Sequence, residues 1–218
     1  MAITVKRSDV ISDLSPAGDV LRNIVASLQN GEITVFPFNG RYVFIADAFN
    51  YDAVKKIQFL RNTPHGTSLQ VMVASRGMAS GVTQKISPAA LIVAEKYWPG
   101  PLTILAQQHL MLNWNLGDEG VLNYFAIRIP EDELLRELIS QTGPIVIANA
   151  NYLGKGSIQN ISQLDIRESD VAYIVDDGIL ESNEISSTVI ADRVGEGVGI
   201  EYLREGAIPF SEIKKLLG

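Results

Sequence analysis

Cysteine is absent from this 218-residue chain, and histidine occurs only at His65 and His109. The first absence excludes disulfides, thiolate zinc sites and cysteine nucleophiles. The second leaves two imidazoles far apart in sequence, so no metal centre is expected. Long apolar runs are also missing. None approaches the roughly 20 residues that a helix needs to span a bilayer, and the opening MAITVKRSDV has no signal-peptide core. A basic balance is lacking too: 18 Lys and Arg face 25 Asp and Glu, a formal net charge of −7. A global surface built to grip phosphate backbones is therefore not expected. These absences point to a cytoplasmic protein with no membrane partner, for which RNA is a partner disfavoured by charge.

What is present is a large apolar fraction, 46% of residues, enough for a sizeable core in one large domain. No linker, repeat or charge block divides the chain, so residues 1–218 are expected to form a single domain. Apolar spacing predicts helices over 16–29, 51–61 and 88–97, a helix opened by Pro130, and a last one over 211–217. Short apolar runs predict strands over 33–37, 42–46, 69–74, 102–106, 124–129, 145–148, 173–175, 188–191 and 200–203. The first two are close enough to form a hairpin. Mixed connections of this kind imply an α/β fold, a twisted sheet with parallel and antiparallel strands flanked by helices. The doubly wound dinucleotide fold is not indicated, since no G-x-G-x-x-G follows the first strand.

Most polar motifs have structural readings. Gly154-Lys155-Gly156-Ser157 lacks the upstream glycine of a phosphate loop and reads as a surface turn. Gly195 to Gly199 reads as a flexible hairpin and Asp176-Asp177-Gly178 as a turn. Glu131, Asp132 and Glu133 sit where a helix N-terminus favours acids. His65 reads as a solvated loop residue. No nucleophile, base or carboxylate pair stands out, so no catalytic residue is assigned. The informative segments are turns at strand ends, where α/β proteins bind ligands.

Those turns carry a resemblance. Trp98-Pro99-Gly100-Pro101-Leu102-Thr103 resembles the WPGPLT signature of the YrdC-like, threonylcarbamoyl-AMP synthase family, and Ala126 to Pro130 resembles its AVRxP strand. Ser187-Thr188-Val189 resembles its STV strand, Arg204 to Ile208 its RxGAI ending, and Asp47-Ala48-Phe49-Asn50 its DAxN. The resemblance implies a YrdC-like fold over nearly the whole chain. It implies a nucleotidyltransferase that condenses ATP, L-threonine and bicarbonate into threonylcarbamoyl-AMP for tRNA modification. ATP with Mg is then a substrate, and no tightly bound cofactor is expected. Such chemistry needs no protein nucleophile. It needs a cradle that holds a carboxylate against an activated phosphate.

Position by position, the resemblance makes Arg128 and Ser187 threonine-binding candidates, and Arg61, Asn149, Asn151 and Arg204 nucleotide-binding candidates. It also marks departures. Phe38, Asn39 and Gly40 stand where the family has threonine, acid and threonine; Thr63 replaces a cation; Asn149 replaces a serine. Asn39, Arg41 and Asn149 bring new hydrogen-bonding capacity. A hydrogen bond to a charged group is worth roughly 1.5–3 kcal/mol, and micromolar binding about 8 kcal/mol in total. Losing two or three such contacts is therefore comparable with a whole binding affinity. Two readings follow: a synthase-like enzyme with a changed site, or a non-catalytic paralogue binding nucleotide or double-stranded RNA.

Overall fold

The computed structural model describes residues 2–12, 18–181, 186–193 and 196–218. The chain opens with β1 (Ile3–Lys6), α1 (Arg7–Ser12) and α2 (Asp19–Gln29), followed by the hairpin β2 (Thr34–Phe38) and β3 (Arg41–Asp47). Next come α3 (Tyr51–Arg61), β4 (Gln70–Met72), α4 (Arg76–Val82), α5 (Pro88–Tyr97), β5 (Leu102–Gln107) and β6 (Tyr124–Arg128). The rest is α6 (Glu133–Thr142), β7 (Ile145–Asn149), β8 (Tyr173–Asp176), β9 (Thr188–Arg193), β10 (Gly199–Arg204) and α7 (Phe210–Leu217). The described strands form one ten-stranded sheet in the order β1-β8-β2-β3-β7-β4-β6-β5-β9-β10. Pairing is parallel for β1 with β8, β8 with β2, β4 with β6 and β5 with β9, and antiparallel elsewhere. The expected mixed, twisted α/β sheet flanked by helices is the fold observed.

Strand alternation places apolar side chains on both faces, and each face has its own core. One packs Leu21, Ile24 and Leu28 of α2 and Leu134, Leu135 and Leu138 of α6 on Phe36, Val43 and Ile45. The other packs Val54 and Ile57 of α3, Val93 of α5 and Ile213 of α7 on Val35, Phe44 and Ile127.

Several boundaries depart from the sequence expectation for local reasons. The strand expected to stop at Pro37 runs on to Phe38. Proline lacks an N–H, but β8 pairs with β2 only at Thr34 and Val35, so no partner there needs that donor. Pro130 does not itself open α6. Asp132 is the N-cap, its carboxylate accepting from the Leu135 N–H at 2.9 Å, and the same side chain pairs with Arg7 of α1 at 2.8 Å. The first helix is described from Asp19, and Pro16 lies outside the described residues. So does Gly195 of the expected 195–199 hairpin, of which Gly197 and Gly199 take positive φ.

Tyr42 fixes one end of the hairpin. Its ring is fully buried. Its hydroxyl accepts from the Asp177 N–H at 2.9 Å and lies 3.0 Å from Asp176 Oδ1 and 2.9 Å from the Gly178 carbonyl, donating to one of them. Burial, above all, pushes its pKa up to about 12. A raised folded-state pKa gives stability that is complete below pH 10, where the unfolded tyrosine begins to ionise, and is lost as the pH climbs toward 12. Tyr42→Phe should cost roughly 1–3 kcal/mol at neutral pH. The gap to wild type should narrow above pH 10, because only the wild type loses about 2–3 kcal/mol there. Urea melts of both proteins across pH 7–11.5 read this directly, and a constant gap would show that the hydroxyl does not titrate as described.

Candidate functional site

The sheet face covered by α2 and α6 is left open over a stretch running from the β2–β3 turn to the start of β9. A cleft of about 230 Å³ lies there, walled by Phe38, Arg41, Gln70, Arg128, Asn149 and Ser187 among others. Its walls come from strand ends far apart in sequence, brought together by the sheet order.

Arg128 ends β6 and is almost wholly buried. Its Nε donates to the Gly100 carbonyl at 2.8 Å, and its Nη2 donates to Glu131 Oε2 at 3.0 Å. Its guanidinium lies over the Phe38 ring, 5.2 Å from the centroid. Among the described residues Nη1 has no partner, so one edge of the fork stays available to the cleft. The Gly100 carbonyl is itself fixed. The Gly100 N–H donates to the Ile129 carbonyl at 3.0 Å, and Trp98 Nε1 donates to the Leu102 carbonyl at 2.7 Å. A Cβ on Gly100 would stand 2.5 Å from the Tyr97 carbonyl oxygen, so the turn needs glycine. The tryptophan-proline-glycine turn thus acts as a mount for the arginine.

On the far wall, Ser187 Oγ lies 2.9 Å from Thr103 Oγ1, which accepts from Gln70 Nε2 at 3.1 Å. Arg204 folds back onto Ser187, donating from Nη2 to the carbonyl at 2.9 Å and to Oγ at 3.1 Å. The turn after β10 is locked by Thr188. Its hydroxyl accepts from the N–H groups of Gly206 and Ile208 and donates to the Ile208 carbonyl at 2.6 Å.

The structure brings Phe38, Arg128, Asn149, Ser187 and Arg204 to one cleft, with Gly40 in the adjoining turn. It places Arg61, Asn151 and Thr63 elsewhere. Arg61 is buried, its Nη1 donating to the carbonyls of Asn149 and Asn151 and to Asn151 Oδ1. Asn151 Nδ2 donates to the carbonyls of Lys155 and Gly156, both at 2.7 Å. These two therefore brace the loop behind β7, and Asn149 reaches the cleft from its near edge. The Thr63 hydroxyl is buried beyond α3 without a partner among the described residues. His65 is fully exposed, 3.7 Å from Glu119. Among the described residues, no cluster of three or more His, Asp or Glu is placed to hold a metal ion.

Three participants were not assigned from sequence. Glu131 reads as a helix-start acid yet holds Arg128. Gln70 and Thr103 complete the polar chain to Ser187. Thr103 sits inside the WPGPLT segment, so its motif was visible and its role was not. Gln70, at the first position of an otherwise apolar strand, gives no signal without the strand pairing.

A family model described as telomere recombination, covering Sua5, YciO and YrdC proteins, matches residues 26–206. The chain belongs to the Sua5/YciO/YrdC family. The threonylcarbamoyl-AMP synthase of Bacillus subtilis is 30% identical over 216 residues, 96% of this chain and 60% of that protein. The one from Pyrococcus abyssi is 28% identical over 200 residues, 91% of this chain and 57% of that protein. A 26% identical relative from Mycobacterium tuberculosis is matched over 89% of this chain and 87% of its own length. The crystal structure of P. abyssi Sua5 complexed with L-threonine has a TM-score of 0.78 at 26% identity, covering 91% of this chain and 57% of that one. E. coli YciO shares the fold, with a TM-score of 0.73 at 18% identity over 89% of this chain and 92% of its own. This chain therefore spans less than two thirds of the length of the B. subtilis and P. abyssi relatives.

Within this family fold the RxGAI turn has a plain steric reason for its glycine. A Cβ on Gly206 would stand 2.1 Å from the Ser186 carbonyl oxygen and 2.6 Å from the Ser187 carbonyl carbon, both backbone atoms. Gly206→Ala should displace the Ser187 wall and cost about 1–3 kcal/mol. Thermal melting should show the loss, while Gly156→Ala, whose Cβ would meet nothing within 4 Å, should melt close to wild type.

Proposed function

We propose that this chain is a threonylcarbamoyl-AMP synthase-like enzyme whose amino-acid pocket has been rebuilt. The observation that carries this reading is the fixed guanidinium of Arg128. It faces the cleft with a free edge, opposite the Ser187–Arg204 pair, in a family whose P. abyssi member is seen with L-threonine. In this reading Arg128 takes the amino-acid carboxylate, since a planar fork matches it in shape and charge. Ser187 lies beside the amino acid, and Arg204 meets the phosphates of ATP. Mg arrives with the nucleotide, because the described cleft walls offer it no carboxylate.

The chemistry asks little more of the protein. The amino nitrogen attacks the bicarbonate carbon, one C–O bond breaks and water leaves, and an oxygen of the resulting carbamate attacks the α-phosphorus, breaking its bond to the pyrophosphate that departs. The protein contributes position, and cations where negative charge gathers. The pocket departs from the family at Phe38 and Asn149, with Gly40 in the adjoining turn, while the altered Thr63 lies outside it. Asn39 and Gly40, with φ of 51° and 63°, make a tight two-residue turn, and Phe38 puts a ring where a hydroxyl stood. These changes support an altered activity. The alternative, a nucleotide- or double-stranded-RNA-binding paralogue without catalysis, is not favoured. The arginines converge on a small cleft and do not trace a duplex, and the chain carries a net charge of −7.

Calorimetric titration of ATP, with and without L-threonine and bicarbonate, tests this. Micromolar ATP binding that tightens with threonine, and pyrophosphate release in the same mixture, are expected. Arg128→Lys keeps the charge and loses the fork, so it should weaken amino-acid binding at least tenfold with little change for ATP alone. Silence in every titration would remove the synthase reading.

A further inference from the structure

Gln70 is a half-buried amide in the apolar floor of the cleft. It begins β4, pairs across the sheet with Ile147, and shares its face with Met72 two residues on. Its Nε2 donates to Thr103 Oγ1, while at the other end of the line Arg204 Nη2 donates to Ser187 Oγ. Both nitrogens can only donate. The two hydroxyls between them lie 2.9 Å apart and bring one proton each. One proton closes the bond between them, and the other is left over. Thr103 is buried, and among the described residues its hydroxyl has no acceptor except Ser187 Oγ. Leaving the Thr103 proton unpaired would cost about 1–3 kcal/mol. Thr103 therefore donates to Ser187, and the spare proton belongs to Ser187, a residue of the cleft wall. With Nε2 held by Thr103, Gln70 Oε1 has no partner among the described residues, and it is not one of their buried unpaired atoms. The line of hydrogen bonds thus gives the cleft an acceptor at Gln70 and a donor at Ser187.

Resting on the reading of the cleft as an amino-acid site, we infer that Gln70 Oε1 accepts from the substrate's amino group, and that Thr103 turns the Ser187 hydroxyl toward bicarbonate. The amine attacks the bicarbonate carbon only when neutral, with its lone pair free. As the C–N bond forms and water leaves, one of its two hydrogens departs with that water. The other stays on nitrogen and keeps its bond to Oε1. A neutral amide suits this work. A carboxylate in its place would pair with the ammonium and hold it protonated, and the described lining of the cleft includes no acid. Ser187, as a donor, meets an oxygen of bicarbonate and then of the carbamate, where the negative charge resides.

The test compares L-threonine with (R)-β-hydroxybutyrate, which is threonine without its amino group, by calorimetry on the whole protein, with ATP titrated separately. Wild type should prefer threonine by about tenfold, or 1.4 kcal/mol. Gln70→Leu should bring the two ligands to near-equal affinity and leave ATP binding intact. Gln70→Glu should tighten threonine at neutral pH yet slow threonine-dependent pyrophosphate release, with the pH optimum moved up by about one unit, because a carboxylate keeps the amine charged. Thr103→Val should raise the KM for bicarbonate more than that for threonine, and Thr103→Ser should restore it. No preference in wild type, or one that survives Gln70→Leu, overturns the amine contact and leaves the synthase reading standing. A pH profile unmoved in Gln70→Glu overturns the part given to the neutral amide. A bicarbonate KM unmoved in Thr103→Val, or threonine binding without pyrophosphate release at any pH, overturns the part given to Ser187. Binding of neither ligand to wild type removes the site reading itself.

Discussion

The burial of one guanidinium organises the site. Arg128 is almost wholly taken out of water, and a charge so placed needs partners. The partners come from three segments: the Gly100 carbonyl from the turn before β5, Glu131 from the entry to α6, and the Phe38 face from the first hairpin. Each segment is rigid for its own reason. The turn is clamped by the Trp98 indole, α6 is capped by Asp132, and the hairpin is closed by a two-residue Asn-Gly turn. The arginine thus reports on the geometry of half the sheet, and a shift in any of the three would be felt at its free edge.

The opposite wall is built by a different device. There the anchoring atom is the Thr188 hydroxyl, which ties the turn after β10 to the start of β9, just beyond the last ladder pair of Arg204 with Val189. Gly206 lets the returning chain come within contact of the Ser186–Ser187 backbone. The result is that Ser187, Thr103 and Gln70 form a continuous hydrogen-bonded line across three strands, with Arg204 at its outer end. The Arg128 wall and the Ser187 line with Arg204 at its end face one another across an apolar floor.

Much of this was legible in the residues, and the reasons differ by element. The helix read over 51–61 appears with those bounds, and the one read over 16–29 ends at Gln29 as expected, with its expected start outside the described residues. The hairpin of β2 and β3 was legible from two apolar runs lying close together in sequence. Among the described helices and strands, α1, α4 and β1 gave no such signal. α4 contains two glycines in seven residues, and its start is set by Ser75 accepting the Met78 N–H. β1 is a largely exposed edge strand that exists because β8 pairs with it in parallel. At the site, motif residues such as Arg128 and Ser187 were legible because their turns are distinctive. Arg61 and Asn151 matched the same pattern, yet their hydrogen bonds are spent on the backbone of the loop after β7. Only pairing across the sheet tells a residue that faces a cleft from one that braces its rear.

The sheet order also governs how the chain can come together in time. β8 lies between β1 and β2, with Ile3 and Thr34 both in register with Tyr173. Neither of the first two strands bonds to the other, so both keep a slot open for a segment made much later. A growing chain can close the β2–β3 hairpin early, but its left flank has no partner until residue 176 has emerged. Pairings this distant in sequence close slowly, because loop entropy is lost before contacts repay it. A nascent or truncated chain that ends before β8 therefore presents two unsatisfied strand edges at once, and its vulnerability to aggregation is written into the position of that one strand.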